Sequence, residues 1–172
     1  MFAKTLTAAA TALALATGGM ALAQNTQRTI VAVPQDGSVK RTLGVVAAAV
    51  GDAETAPANS EVALQTRIQF KLNSAELTST AKDQLRILSQ TFNDPSVIAA
   101  KFLIEGHTDA SGSAGYNRDL SQRRAASVMA FLMQSGVDGS RLASTGYGEE
   151  RLIPDIASNS PLNRRVEFLI RR

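Results

Sequence analysis

Alternation from Val62 to Phe70 puts Val62, Leu64, Thr66, Ile68 and Phe70 on one side of an extended chain, which predicts a strand. A turn at Asn73-Ser74-Ala75 follows, and Thr78 or Ser79 is placed to cap a helix running to about Phe92. Within it Ala81, Leu85, Leu88 and Phe92 follow the spacing i, i+4, i+7, i+11 of a single helical stripe, and Asn93-Asp94-Pro95 ends it. Lys101 to Thr108 predicts a second strand. Ser121 to Gln134 predicts a second amphipathic helix through Ala125, Val128, Met129 and Leu132, with Gly136 at the C′ position. Arg141 to Tyr147 predicts a short strand, and Arg165 to Ile170 a final one with Val166, Phe168 and Ile170 facing inward. The order strand, helix, strand, helix, strand, strand predicts an α+β fold: a small mixed β-sheet with two main helices packed on one face.

Upstream the pattern is weaker. Arg28 to Val33 predicts a strand, Pro34 to Gly37 a turn, and Ser38 to Val50 either another strand or a small-residue helix. Gly51 to Ser60, with Pro57 among Ala, Asp and Asn, has linker composition. Residues 24–60 are therefore expected to be an N-terminal arm and linker, and residues 61–172 the main domain. Residues 1–23 have the form of an export signal: Lys4, a short apolar run from Leu6 to Leu15, and Ala21-Leu22-Ala23 before Gln24. The run is too short and too weakly apolar to favour a membrane span. The expected location is the periplasm, in association with the outer membrane.

Composition narrows the partners. The 172 residues suffice for one domain with extensions, and 44% hydrophobic content permits a packed core. Aromatics at 5%, without Trp, do not supply a stacking platform for single-stranded nucleic acid. Removing Lys4 with the signal lowers the formal charge from +3 to +2, too mild for a nucleic-acid binder. The absence of Cys rules out a disulfide framework and a lipidated thiol within this sequence.

The charge pattern singles out Gly106 to Ala125. This stretch leaves the apolar run Phe102-Leu103-Ile104, crosses a loop of Gly and Ser, and enters the helix expected from Ser121. Ligands of open α/β sheets bind where such loops meet helix N-termini. Arg123 and Arg124 then fall in the first turn, where the backbone already carries partial positive charge, and cations there make sense if an anion is to meet both. With Asp109 across the loop, one pocket offers a carboxylate and a guanidinium, which suits a zwitterion. The same residues admit a plainer account, in which Asp109 pairs with Arg124 or caps a turn and Arg123 lies on the surface against Asp119. His107, the only histidine, sits two residues from both Glu105 and Asp109 on one strand face. That invites a metal or acid–base role. A hydrogen-bonded network is the better account, because no second His or Cys completes a soft-metal site; neither a metal nor a cofactor is expected, and the chain is not expected to be an enzyme.

Ile104-Glu105-Gly106-His107-Thr108-Asp109, then Gly112-Ser113, Tyr116-Asn117, Leu120-Ser121, Arg123-Arg124-Ala125, Gly136-Val137, Gly146-Tyr147-Gly148-Glu149 and Asn163-Arg164-Arg165-Val166-Glu167 resemble the OmpA-like peptidoglycan-binding domain family. The resemblance runs from about Glu61 to the C-terminus. It implies non-catalytic binding of peptidoglycan through the diaminopimelate of its stem peptides. By this resemblance Asp109 holds the ligand's ammonium and Arg124, fifteen residues later, its carboxylate. Asn73, the backbone at Thr108, Asn117, Leu120 and Arg165 are the further pocket positions it implies. Residues 24–60 are too short for the eight-stranded barrel of full-length outer membrane protein A, so an outer-membrane or periplasmic partner protein is expected for the arm. The rival is an envelope protein-interaction module that uses the fold without gripping the wall. Arg164, Arg165, Arg171 and Arg172 are expected to be solvated strand-end charge.

Overall fold

The computed structural model describes residues 6–7, 27–57 and 60–171. The strands are β1 (Leu6–Thr7), β2 (Gln27–Ala32), β3 (Ser60–Thr66), β4 (Lys101–His107), β5 (Leu142–Gly148) and β6 (Val166–Arg171). They form one sheet in the order β1-β2-β3-β6-β4-β5. β2 runs parallel to β3 and β4 parallel to β5, while β6 lies antiparallel between β3 and β4. Among the described residues there are three α-helices, α1 (Val39–Thr55), α2 (Ser79–Phe92) and α3 (Ala114–Gln134). The mixed sheet and the α+β class agree with the pattern of apolar positions.

The core follows from that pattern. Ala81, Leu85, Leu88 and Phe92 of α2 are all buried, as are Val166, Phe168 and Ile170 of β6. Phe92 stacks on Phe102 with ring centroids 4.1 Å apart and meets Phe168 edge-on at 5.7 Å, joining α2 to the adjacent strands β4 and β6. Thr78 caps α2 by accepting the Ala81 N–H.

Two segments differ from expectation. Between residues 24 and 60, β2 adds to the sheet along β3, and the stretch left open between strand and helix is α1, capped by Ser38. Its Val46, Ala49, Val50 and Ala53 form an i, i+3, i+4, i+7 stripe buried in the same core cluster as α2 and α3. Residues 51–55, with linker composition, are the last turn of α1. Tertiary packing here overrides two glycines and a run of β-branched residues. The second difference is the start of α3. Ser113, not Ser121, is the N-cap, accepting the Tyr116 N–H at 3.3 Å. Arg123 and Arg124 therefore lie in the third turn, away from the positive helix end.

Ser121 has a different task. It is fully buried against β5, where its hydroxyl donates to Arg118 O and accepts the Gly148 N–H at 2.8 Å. A Cβ built on Gly146 would run into the Gln122 backbone and the Ser121 hydroxyl, and one on Gly106 into the Ser121 carbonyl. Small residues in β4 and β5 are what let α3 lie so close to the sheet.

The export-signal reading of residues 1–23 falls outside the described residues except at Leu6–Thr7, which pair with Ile30 and Thr29. No helix among the described residues is long and apolar enough to cross a membrane.

Candidate functional site

β4 ends at His107, and residues 108–113 carry the chain to the α3 cap. This loop is tied down from several sides. Thr108 N–H donates to Gly148 O and Ala110 N–H to Ser158 O, each at 2.9 Å. From α3 the buried Asn117 amide reaches back to Asp109 O (3.2 Å), Ser111 O (3.1 Å) and the Glu149 carboxylate (2.6 Å). A loop bound to three segments holds its side chains in place before any ligand arrives.

The Asp109 residue is only 6% exposed. One carboxylate oxygen accepts the Ser111 N–H at 3.1 Å and the other pairs with Arg164 Nη1 at 2.5 Å. Arg164 follows a 3-10 turn, Pro161–Asn163, capped by Ser160. Asn163 fixes that turn: fully buried, it accepts the Ile153 N–H and donates to Ala157 O and Ser158 O.

Arg124 approaches from α3. Its Nε donates to Ser74 O at 3.0 Å, its one hydrogen bond among the described residues, and its guanidinium lies over the Phe70 ring at 4.9 Å. Burial, the largest influence, pulls its pKa down from the ordinary arginine value; Tyr116 and Asp109 act against this, Arg164 and Arg123 with it. A cavity of about 320 Å³ opens here, lined by Arg67, Phe70, His107, Arg124, Pro161, Arg164 and Arg165 among others. Four arginines and no acidic residue are among its lining residues, Arg67, Arg124 and Arg164 beside the buried Arg165. Such a cavity favours anions.

The expected residues divide into three groups. Arg124 and Arg165 line the cavity, and Asp109 adjoins it through Arg164. Asn73 is exposed, with φ 48°, beside the Ser74 carbonyl that anchors Arg124. Thr108, Asn117 and Leu120 are buried and do not line the cavity. Arg165 turns its donors inward, to Glu167 (2.6 Å), Asn163 O (3.3 Å) and Arg151 O (3.0 Å). The reading as solvated strand-end charge is thus corrected for Arg165, which is buried, while Arg164 stays exposed as it pairs with Asp109. Arg171 is exposed and Arg172 lies outside the described residues. Asp109 also pairs with Arg164 rather than with Arg124, whereas Arg123 does lie on the surface against Asp119, 2.7 Å away. Arg164 was hidden because its partner is 55 residues away. Ser160-Pro161, a cap followed by proline at the first helical position, was the local signal for the turn that brings it back.

His107 belongs to a second cluster. Asp109 lies beyond the strand end, so the carboxylates beside His107 are Glu105 and, in register on β6, Glu167; ligand-type atoms of the three lie within 4.8 Å of one another. Arg28 from β2 pairs with Glu105 and, at 3.4 Å, with Glu167; Arg151 and Arg165 take the remaining carboxylate oxygens. Three guanidinium groups already neutralise the two acids, so the donor set does not suit a metal cation. The expected hydrogen-bonded network is an ion-pair network that leaves the imidazole out: neither ring nitrogen has a partner, and the ring stacks on Tyr147 at 5.7 Å. Burial first, then Arg165, Arg28 and Arg151, pushes the His107 pKa down to about 2. The imidazole is therefore neutral at physiological pH.

Known proteins are similar to this chain in sequence, and solved structures are similar to part of it in fold. The peptidoglycan-associated lipoprotein of Mesorhizobium japonicum is 35% identical over 73% of this chain and 73% of its own length. Outer membrane porin F of Pseudomonas aeruginosa is 35% identical over 67% of this chain, a match spanning only 34% of the porin. Among solved structures, a putative MotB-like protein from Desulfovibrio vulgaris superposes with TM-score 0.56 and 26% identity over 77% of this chain and 86% of that one. The peptidoglycan-associated lipoprotein of Burkholderia pseudomallei does so with TM-score 0.52 and 25% identity, over 62% and 91%. The OmpA family model matches residues 69–165, from shortly after β3 through α2, β4, the loop, α3 and the Asn-Arg-Arg turn, and the chain belongs to the OmpA family.

Proposed function

We propose that the chain is a non-catalytic peptidoglycan-binding protein of the cell envelope that grips the free zwitterionic end of diaminopimelate in the stem peptide. One observation carries the reading: Arg124, a half-buried guanidinium with a single internal hydrogen bond, lines a cavity of about 320 Å³, and Asp109, a fixed and nearly buried carboxylate, pairs with Arg164 of the same lining. In this reading the ligand carboxylate meets Arg124 and its ammonium meets Asp109. Asn117, Leu120 and the Thr108 backbone hold the loop, and Asn73 positions the Ser74 carbonyl behind Arg124. Each charge-assisted contact is worth about 1.5–3 kcal/mol. Many stems on one wall sheet raise the retention through rebinding. Relatives named peptidoglycan-associated lipoprotein support the wall as target. Residues 1–23 direct export, the protein works in the periplasm at the outer membrane, residues 61–172 bind the wall, and residues 24–60 meet an envelope protein.

Sedimentation with purified peptidoglycan tests the reading. The wild-type protein is expected in the pellet, and Asp109→Ala and Arg124→Ala in the supernatant with unchanged circular dichroism. Wild-type protein left in the supernatant would favour the interaction-module alternative. Pelleting of both variants like the wild type would move the site elsewhere.

A further inference from the structure

The cavity holds more positive charge than one zwitterion can match. Of its four arginines, Arg164 is paired with Asp109 and Arg165 with Glu167. Arg67 and Arg124 have no carboxylate partner among the described residues, and both line the cavity. Arg67 is exposed, directly after the end of β3 and three residues before Phe70, whose ring carries the Arg124 guanidinium. A zwitterion that gives its ammonium to Asp109 has a single carboxylate, for Arg124. One guanidinium is left over.

We infer that Arg67 receives a second carboxylate of the same stem peptide, so that the site selects stems with free acid groups over stems in which those groups are amidated. The inference rests on the diaminopimelate reading and names the ligand more closely. A stem peptide offers two such groups near the zwitterion: the α-carboxylate of the γ-linked glutamate, and, in an uncrosslinked tripeptide, the other carboxylate of diaminopimelate. Amidation of either removes the charge while keeping the shape. Because Arg67 is exposed, solvent screens the contact, and the preference is small, about two- to fivefold. It shrinks as salt is added.

Calorimetric titration of the full chain with three soluble tripeptide stems tests this: the fully acidic form, the form amidated at the glutamyl α-carboxyl, and the form amidated at the non-zwitterionic carboxyl of diaminopimelate. The wild-type protein is expected to prefer the acidic stem over at least one amidated stem by about two- to fivefold, and the disfavoured form identifies the carboxylate. Arg67→Gln is expected to bind all three equally. Equal binding of all three by the wild type, or a preference that survives in Arg67→Gln, overturns the role of Arg67 and leaves the zwitterion site standing. Binding of none of the three by the wild type overturns the zwitterion site and this inference together.

Discussion

Asp109 and Arg164, 55 residues apart in sequence, form an ion pair at 2.5 Å, with Asp109 almost inside the fold and the Arg164 side chain 48% exposed. An incoming ammonium meets a carboxylate that already has a cation on one oxygen. The Ser111 N–H keeps Asp109 oriented without help from Arg164. Arg164→Ala is therefore expected to tighten binding of free diaminopimelate, by about two- to fivefold at low salt. A loss as deep as that of Asp109→Ala, measured in the same titration, would make Arg164 a ligand contact instead of a competitor.

His107 makes folding sensitive to acid. Its value of about 2 in the folded protein lies below its ordinary 6.5, so the unfolded chain binds the extra proton throughout that interval. The contribution to stability is complete above about pH 6.5 and declines by about 1.4 kcal/mol for each unit below it, reaching about 2 kcal/mol by pH 5. Urea unfolding of the wild type and His107→Gln at pH 7.5 and pH 5 should show a smaller difference between the two pH values in the variant. Equal differences would mean the imidazole is protonated in the fold.

The N-terminal segment is expected to be needed for full stability. Deleting residues 1–57 removes β2 and α1, uncovers the core face that Val46, Ala49, Val50 and Ala53 cover, and takes Arg28 from Glu105 and Glu167. Glu105 keeps Arg151 and Glu167 keeps Arg165, so losing Arg28 costs less than the about 3–5 kcal/mol of a buried carboxylate left with no partner. The shortened chain should melt well below the full one, with Arg28→Ala in between. An unchanged melting temperature on deletion would make the segment an independent arm.

Gly146→Ala sets a methyl group against the Gln122 backbone. The helix has to shift, at a cost of about 1–3 kcal/mol. Thermal melting should register this, and wall binding should weaken too because α3 carries Arg124. Gly115→Ala, where the added group meets open space within α3, is the control: melting should hold or rise slightly and wall binding should stay unchanged.

Where sequence period and burial coincide, the chain is legible in advance: the α2 stripe, the inward residues of β6 and the Thr78 cap all follow from local rules. The first two turns of α3 were not, because Ala114 to Asp119 is polar, contains Gly115 and shows no apolar stripe before Leu120. Ser113 three residues ahead of Tyr116 was the available cue. α1 could be read either way because its Val and Ala residues suit both periods, and packing against α2 and β3 decides it. Asp109 and Arg124 stood out through motif spacing. Arg164 and Glu167 reach their partners through the antiparallel placement of β6 between β3 and β4, a relation between distant segments that no local window contains.

Ser121 and Gln122 clamp the third turn of α3, the one that also bears Arg124, to Gly146 and Gly148. A guest held by both side chains would pull on the loop that leaves β4 and on the helix turn fastened to β5, so tension would pass directly into β4 and β5. The helix would then resist peeling until those strands yield.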